Sequence, residues 1–284
     1  MELALGTVQF GVDYGIASAR RADDATAAKI LSAAWEMGIR RLDTAPGYGD
    51  IEPRLAGLCG SRNFSIVSKI PGTPAGLGDE GFVPWLVETV ETSRRRLGDR
   101  LRGLIFHDAA MTLGERGRVA RETLGSLLDD GEIELGASHY DGTTLLEPAT
   151  WPDCRMAQLP GNALDQRILD QDAILRGLEV SLRSVFLQGL LLMEPSAAAK
   201  RLPAAAPAVE EWHAWCRRRN IQPLEAALAI AKGFSMVDFC LVGVDSEAQL
   251  RAIGEAWERA TAITAPELAS DDPSVIDPRT WLSA

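Results

Sequence analysis

The sequence predicts an α/β fold, a (β/α)8 TIM barrel closed as a single domain over 284 residues. Short apolar runs of strand length alternate with longer amphipathic stretches from one end of the chain to the other, the alternation of a repeated βα unit. Eight such runs can be read, the number that a closed parallel barrel requires. Several, such as Leu241-Val242-Gly243-Val244, are nearly continuous in apolar residues, as strands covered on both faces must be. The length would allow two domains, but α/β barrels fill it as one.

In chain order the strands are expected at 2–6, 39–43, 64–69, 103–107, 134–138, 155–159, 179–184 and 239–242. The helix-like stretches between them are 24–37, a short one after Asp50, 81–97, 114–128, 142–147, 166–175, 208–232 broken near Pro223, and 246–260. An open doubly wound sheet is the alternative. Against it, the first strand runs into Gly6-Thr7-Val8-Gln9-Phe10-Gly11, which lacks the glycine spacing of a dinucleotide-binding turn. The Ala/Pro-rich stretch 195–207 reads as a surface connection. Residues 270–284 form a C-terminal tail that Pro273 and Pro278 are expected to keep from running as helix, so that it drapes over one end of the barrel.

Composition narrows the function. A net charge of -11, from 40 acidic against 29 basic residues, opposes binding to a phosphate backbone and makes nucleic acid an unexpected partner. Four cysteines and three histidines lie without metal-ligand spacing, so no metal is expected, and reduced thiols fit a cytoplasmic protein. No stretch approaches the roughly 20 apolar residues of a membrane helix. The start of the chain lacks the basic, then apolar, pattern of a secretory signal.

A barrel of this kind presents reactive groups at the C-terminal ends of its strands. The second strand ends in Asp43 and enters Thr44-Ala45-Pro46-Gly47-Tyr48-Gly49, a turn that lifts Tyr48 onto the same rim. The third ends in Lys69 and the fourth in His107. Those four groups suit reduction of a carbonyl. Lys69 is expected to lower the Tyr48 phenol below its ordinary pKa of about 10, Asp43 to hold Lys69 charged, and His107 to position the carbonyl oxygen. No side chain supplies a hydride, so the site implies a nicotinamide cofactor.

With those residues in place the sequence resembles the aldo-keto reductase superfamily over most of its length. Gly6-Thr7 with Phe10-Gly11, the segment Asp43 to Gly49, Lys69 and His107 are similar to the family's pattern. The resemblance implies a catalytic tetrad of Asp43, Tyr48, Lys69 and His107, with Tyr48 as general acid. Gly136-Ala137-Ser138-His139-Tyr140 resembles the motif that holds the nicotinamide carboxamide, with His139 where asparagine is usual, and Gln158 stands at the family's carboxamide-binding glutamine. Leu187-Gln188-Gly189 is similar to the pyrophosphate segment. Arg183 or Ser184 falls where an aromatic ring usually stacks on the nicotinamide, a place that the plane of an arginine could also fill.

Gly243, Asp245 and Gln249 resemble the adenosine-phosphate loop, without its customary basic residues. NADP is the family's usual cofactor. Asp245 opens the site to NAD, because an acid repels a 2′-phosphate and accepts from a free ribose hydroxyl. Phe10, Tyr14, Trp85, Trp151 and Trp281 are candidate substrate contacts beside Tyr48 and His107.

Each residue also has an ordinary reading: Asp43 as a turn residue, Lys69 as a snorkelling side chain, His107 and Tyr48 as packing. Four matched types at consecutive strand ends favour the joint one. His213 is assigned no role; the triplets 94–96 and 217–219 read as solvated helix C-termini favoured by the macrodipole. Cys59 and Cys240 read as buried apolar groups. The expected partner is a small carbonyl compound. Other functions that the same rim would serve are a nicotinamide-binding regulatory module with little turnover, or a lyase or isomerase that transfers no hydride.

Overall fold

A computed structural model describes residues 1–16, 21–128, 131–146 and 150–283. Its parallel strands close in sequence order: β1 (Glu2–Gly6), β2 (Arg41–Asp43), β3 (Ser65–Ile70), β4 (Leu101–Phe106), β5 (Glu134–Ser138), β6 (Cys154–Pro160), β7 (Glu179–Arg183) and β8 (Phe239–Gly243), with β8 pairing back to β1. This is the predicted (β/α)8 barrel. Around it run α1 (Val8–Gly11), α2 (Asp24–Glu36), α3 (Ile51–Cys59), α4 (Asp79–Leu97), α5 (Gly114–Leu127), α6 (Asp172–Leu175), α7 (Pro195–Arg201), α8 (Ala206–Arg219), α9 (Pro223–Lys232), α10 (Glu247–Arg259) and α11 (Pro273–Ile276).

The helices form where one apolar stripe meets the sheet. In α2, Ala27, Ile30, Leu31 and Ala34 are buried at helical spacing, and Asp23 caps the N-terminus by accepting from the Thr26 amide. The barrel interior is filled by Val67, Ile105 and Met156, a cluster separate from the outer core. Gly103 makes room for it, since a Cβ there would stand 2.5 Å from the Met156 sulfur.

Several expectations change. The stretch 195–207 is not a bare connection: α7 and a 3-10 turn (Pro203–Ala205) occupy it. Pro195 sits at the helix start, where its fixed φ favours a helix, and the alanines behind it propagate the turn. The tail also turns. Asp272 caps α11, a 3-10 segment (Pro278–Ser283) follows, and both prolines open a turn rather than prevent one. It reaches the C-terminal rim, where the Arg279 guanidinium lies 3.4 Å from the Tyr140 ring centroid. The stretch 142–147 holds a 3-10 turn (Gly142–Thr144), and Glu147 lies outside the described residues. The stretch 166–175 is a 3-10 turn (Arg167–Gln171) running into the single turn of α6.

Arg96 is more than a solvated helix end: it bonds the fully buried Glu52 at 2.9 Å. Arg218 and Arg219 at the end of α8 pair with Glu211 and Glu267. Cys59 and Cys240 are buried free thiols, and burial pushes them up to about 11 and about 12. His213 is buried on α8. Among the described residues no helix is long and apolar enough to cross a membrane, and no cluster of potential ligands is arranged for a metal ion.

Candidate active site

The C-terminal ends of β2, β3 and β6 converge on one carboxylate. Asp43 ends β2, and its backbone carbonyl accepts from both the Thr7 amide (2.9 Å) and the Thr7 hydroxyl (3.0 Å). One carboxylate oxygen pairs with the Lys69 ammonium, and the other accepts from the Gln158 amide at 2.9 Å. Lys69 is 1% exposed and also donates to the Thr44 carbonyl at 3.0 Å. Behind it, Ser68 and Ser93 donate to Glu52 at 2.7 and 2.9 Å, which ties β3 to α3 and α4.

Tyr48 reaches this pair because two glycines let its loop settle on α1. A Cβ on Gly11 would lie 1.7 Å from the Tyr48 carbonyl, and Gly49, at φ +68, packs against Gly11. The Lys69 ammonium is 5.1 Å from the Tyr48 ring centroid, and the His107 ring meets that ring edge-on at 5.8 Å. Asp43, Tyr48, Lys69 and His107 thus occupy one locus.

The electrostatics differ from the sequence expectation at the phenol. Burial raises the Tyr48 pKa above its ordinary value; Lys69 pulls it down, but loss of solvent wins, so the hydroxyl is protonated at neutral pH. Burial pushes the Lys69 ammonium down, yet the Asp43 carboxylate and the phenol outweigh it and leave it above the usual lysine value. His107 is lowered to about 4, by burial and then by Lys69, and is a neutral imidazole at pH 7.

From this locus a groove of about 430 Å³ runs along β7 and β8. Of the predicted cofactor residues, Gly6, Asp43, Gln158, Arg183, Gln188, Gly189, Gly243, Asp245 and Gln249 line it. Thr7, Ser138, His139 and Leu187 stand behind that lining. Ser138 donates to the Gln158 carboxamide oxygen at 3.4 Å, the His139 imidazole bonds the Thr144 hydroxyl at 2.8 Å, and Leu187 is fully buried. Burial first, then Arg183, lowers His139 to about 4, so this ring too is neutral. Gln249 accepts from the Asp245 amide at 2.8 Å.

Tyr14 is exposed and lines the mouth with Tyr48. Phe10 does not reach it: the α1 turn directs the ring into the core, where it has no exposure. Trp85 packs against Phe82 on α4, and Trp151 is buried against Phe106. Trp281, in the tail, is partly buried against the core.

Gln9 is a groove residue that sequence reading passed over. Its carboxamide lies over Gly243, where a Cβ would come within 2.5 Å, and its buried oxygen has no partner among the described residues. Its place just after the first strand was the available signal. A continuous groove with an unanswered buried acceptor fits an elongated polar ligand such as a nicotinamide dinucleotide.

A family model described as the aldo/keto reductase family matches residues 2–269. The chain belongs to the aldo/keto reductase family, whose chemistry is NAD(P)H-dependent carbonyl reduction, and is an oxidoreductase of that class. No curated protein matches it. Among solved structures, the holo form of aldo-keto reductase AKR11C1 from Bacillus halodurans is similar at a TM-score of 0.74 and 20% identity, covering 95% of this chain and 93% of that one. The glycerol dehydrogenase AKR11B4 from Gluconobacter oxydans is similar at 0.66 and 17%, covering 94% and 88%. At such identities the likeness is one of fold.

Proposed function

We propose that the chain reduces an aldehyde or ketone of a small polar metabolite to the alcohol, with Tyr48 as proton donor. The nicotinamide, when bound, supplies the hydride. Tyr48 holds its proton at neutral pH and delivers it to the carbonyl oxygen as negative charge develops there. Lys69, kept charged by Asp43, then stabilises the phenolate left behind. His107, a neutral donor, hydrogen-bonds the carbonyl oxygen and orients it without competing for the proton.

Ser138 and His139 act through Gln158 and the β5 loop to shape the carboxamide end, with Gln158 presenting its amide to it. Gly6, Thr7, Leu187, Gln188 and Gly189 form the cradle for the pyrophosphate and the ribose beside it. The observation that carries the reading is the Asp43–Lys69 pair set against a protonated phenol at one end of the groove.

NADP is customary in the family, yet the groove's β8 end carries Asp245 and, among the described residues, no lysine or arginine. NADH is therefore expected to bind more tightly than NADPH, and Asp245→Arg to reverse the order; titration with both cofactors measures it.

The test of turnover is loss of the reduced-nicotinamide absorbance with a panel of aldehydes. Tyr48→Phe is expected to reduce kcat by about 10²- to 10⁴-fold while leaving the fold intact by circular dichroism. A Tyr48→Phe enzyme of full rate rules the phenol out as donor.

A further inference from the structure

We propose that Arg183 selects carbonyl substrates bearing a carboxylate close to the reacting carbonyl. This rests on the reductase reading above and gives it a substrate class. Arg183 closes β7, and its side chain lines the groove with Tyr48, Gln158 and Tyr14. The cations around it are each matched by an acid: Lys69 by Asp43, Arg167 by Asp165, Arg279 by Asp277. Among the described residues, Arg183 has no carboxylate within ion-pair distance. Its hydrogen bonds go to two neutral oxygens, the His139 carbonyl at 2.9 Å and the Ser184 hydroxyl at 3.3 Å.

A guanidinium carries five N–H groups, so most of them remain free to meet a ligand. A partly buried cation without a counter-charge is costly, and in a chain with an excess of acids the missing partner marks a place where a ligand brings the negative charge.

The group is held in place. The Arg183 carbonyl accepts from the Gly161 amide at 3.0 Å, and Ser184, at φ 62, is in the left-handed region. The Asn162 amide secures that turn by donating to the Ser184 carbonyl at 3.2 Å. His139 and Tyr140, whose ring centroid is 4.6 Å away, draw the guanidinium toward the β5 loop. There its charge acts on both Tyr48 and His107. A planar fork matches a carboxylate through two parallel bonds, and one unmatched cation balances a monoanion better than a phosphate dianion.

The experiment compares kcat/KM for butanal, succinic semialdehyde and glyceraldehyde 3-phosphate in the wild type, Arg183→Gln and Arg183→Lys. Calorimetric titration of succinate into each protein, with oxidised nicotinamide present, runs beside it. The acid-to-neutral ratio of kcat/KM is expected to exceed tenfold in the wild type and to fall about 10- to 100-fold in Arg183→Gln, chiefly through KM. The lysine variant should recover part of it, and succinate binding should be lost with the guanidinium. An unchanged ratio in Arg183→Gln overturns the proposal, as does a preference for the phosphorylated aldehyde, or weakened cofactor binding with succinate affinity intact. If no aldehyde is reduced, the reductase reading fails by itself, and the titration alone decides: succinate affinity that depends on Arg183 supports the assignment, and its absence overturns it.

Discussion

Each oxygen of the Asp43 carboxylate has its own donor, Lys69 on one and Gln158 on the other. Asp43→Asn leaves a single acceptor for two donors and takes the counter-charge from a buried ammonium. Stability is expected to fall by about 2–4 kcal/mol, read as a lower urea midpoint at unchanged slope. Turnover should fall with it; a variant of wild-type stability would show that the ammonium finds another partner. The proposed tetrad was legible as one locus in sequence because Asp43, Lys69 and His107 close strand-length runs, Tyr48 follows in the turn after Asp43, and strand ends converge on one rim. The direction of the Tyr48 shift was not, because it depends on how much water the folded rim excludes. Phe10 misled for a related reason: a residue just after a strand looks like a rim residue until α1 turns it inward.

At the level of elements, the loop from β8 into α10 is the one on which the proposed cofactor preference rests. Ser246 caps α10 by accepting from the Gln249 amide at 3.3 Å, while the Gln249 side chain accepts from the Asp245 amide, close to a capping box. Ser246→Ala should cost about 1 kcal/mol. It should also weaken cofactor binding, since it loosens the residue that holds Asp245 at the groove; a drop in melting temperature with unaltered cofactor affinity would separate the two effects. Strands and long helices were readable from period and caps. The turns at 195–207 and 270–284 were not, because a proline stops a helix from within but starts one from its first position.

Over the whole molecule, acid should act through the two imidazoles at the site. His107 and His139 are both held near about 4, below the ordinary 6.5. Between those values the unfolded chain takes up protons that the folded chain refuses. Their contribution is therefore complete above about pH 6.5, declines as the pH falls through about 4, and is flat below it. Melting temperatures across this range should drop toward the acid end, and less steeply in His139→Asn; no change between about pH 7 and 5 would count against the buried neutral rings.

The bend after β7 bears on how the proposed cofactor would be met. Ser184, Leu187 and Gln188 are all left-handed, yet Leu187, Leu190 and Leu191 are sunk in the core, the Trp212 indole holds the Leu191 carbonyl, and the Ile16 amide holds that of Gln188. A receptor wall shaped before its guest arrives has little folding left to do on encounter. Stopped-flow mixing should accordingly show nucleotide capture as one concentration-dependent phase, with a slow second phase emerging in Trp212→Phe as the wall slackens.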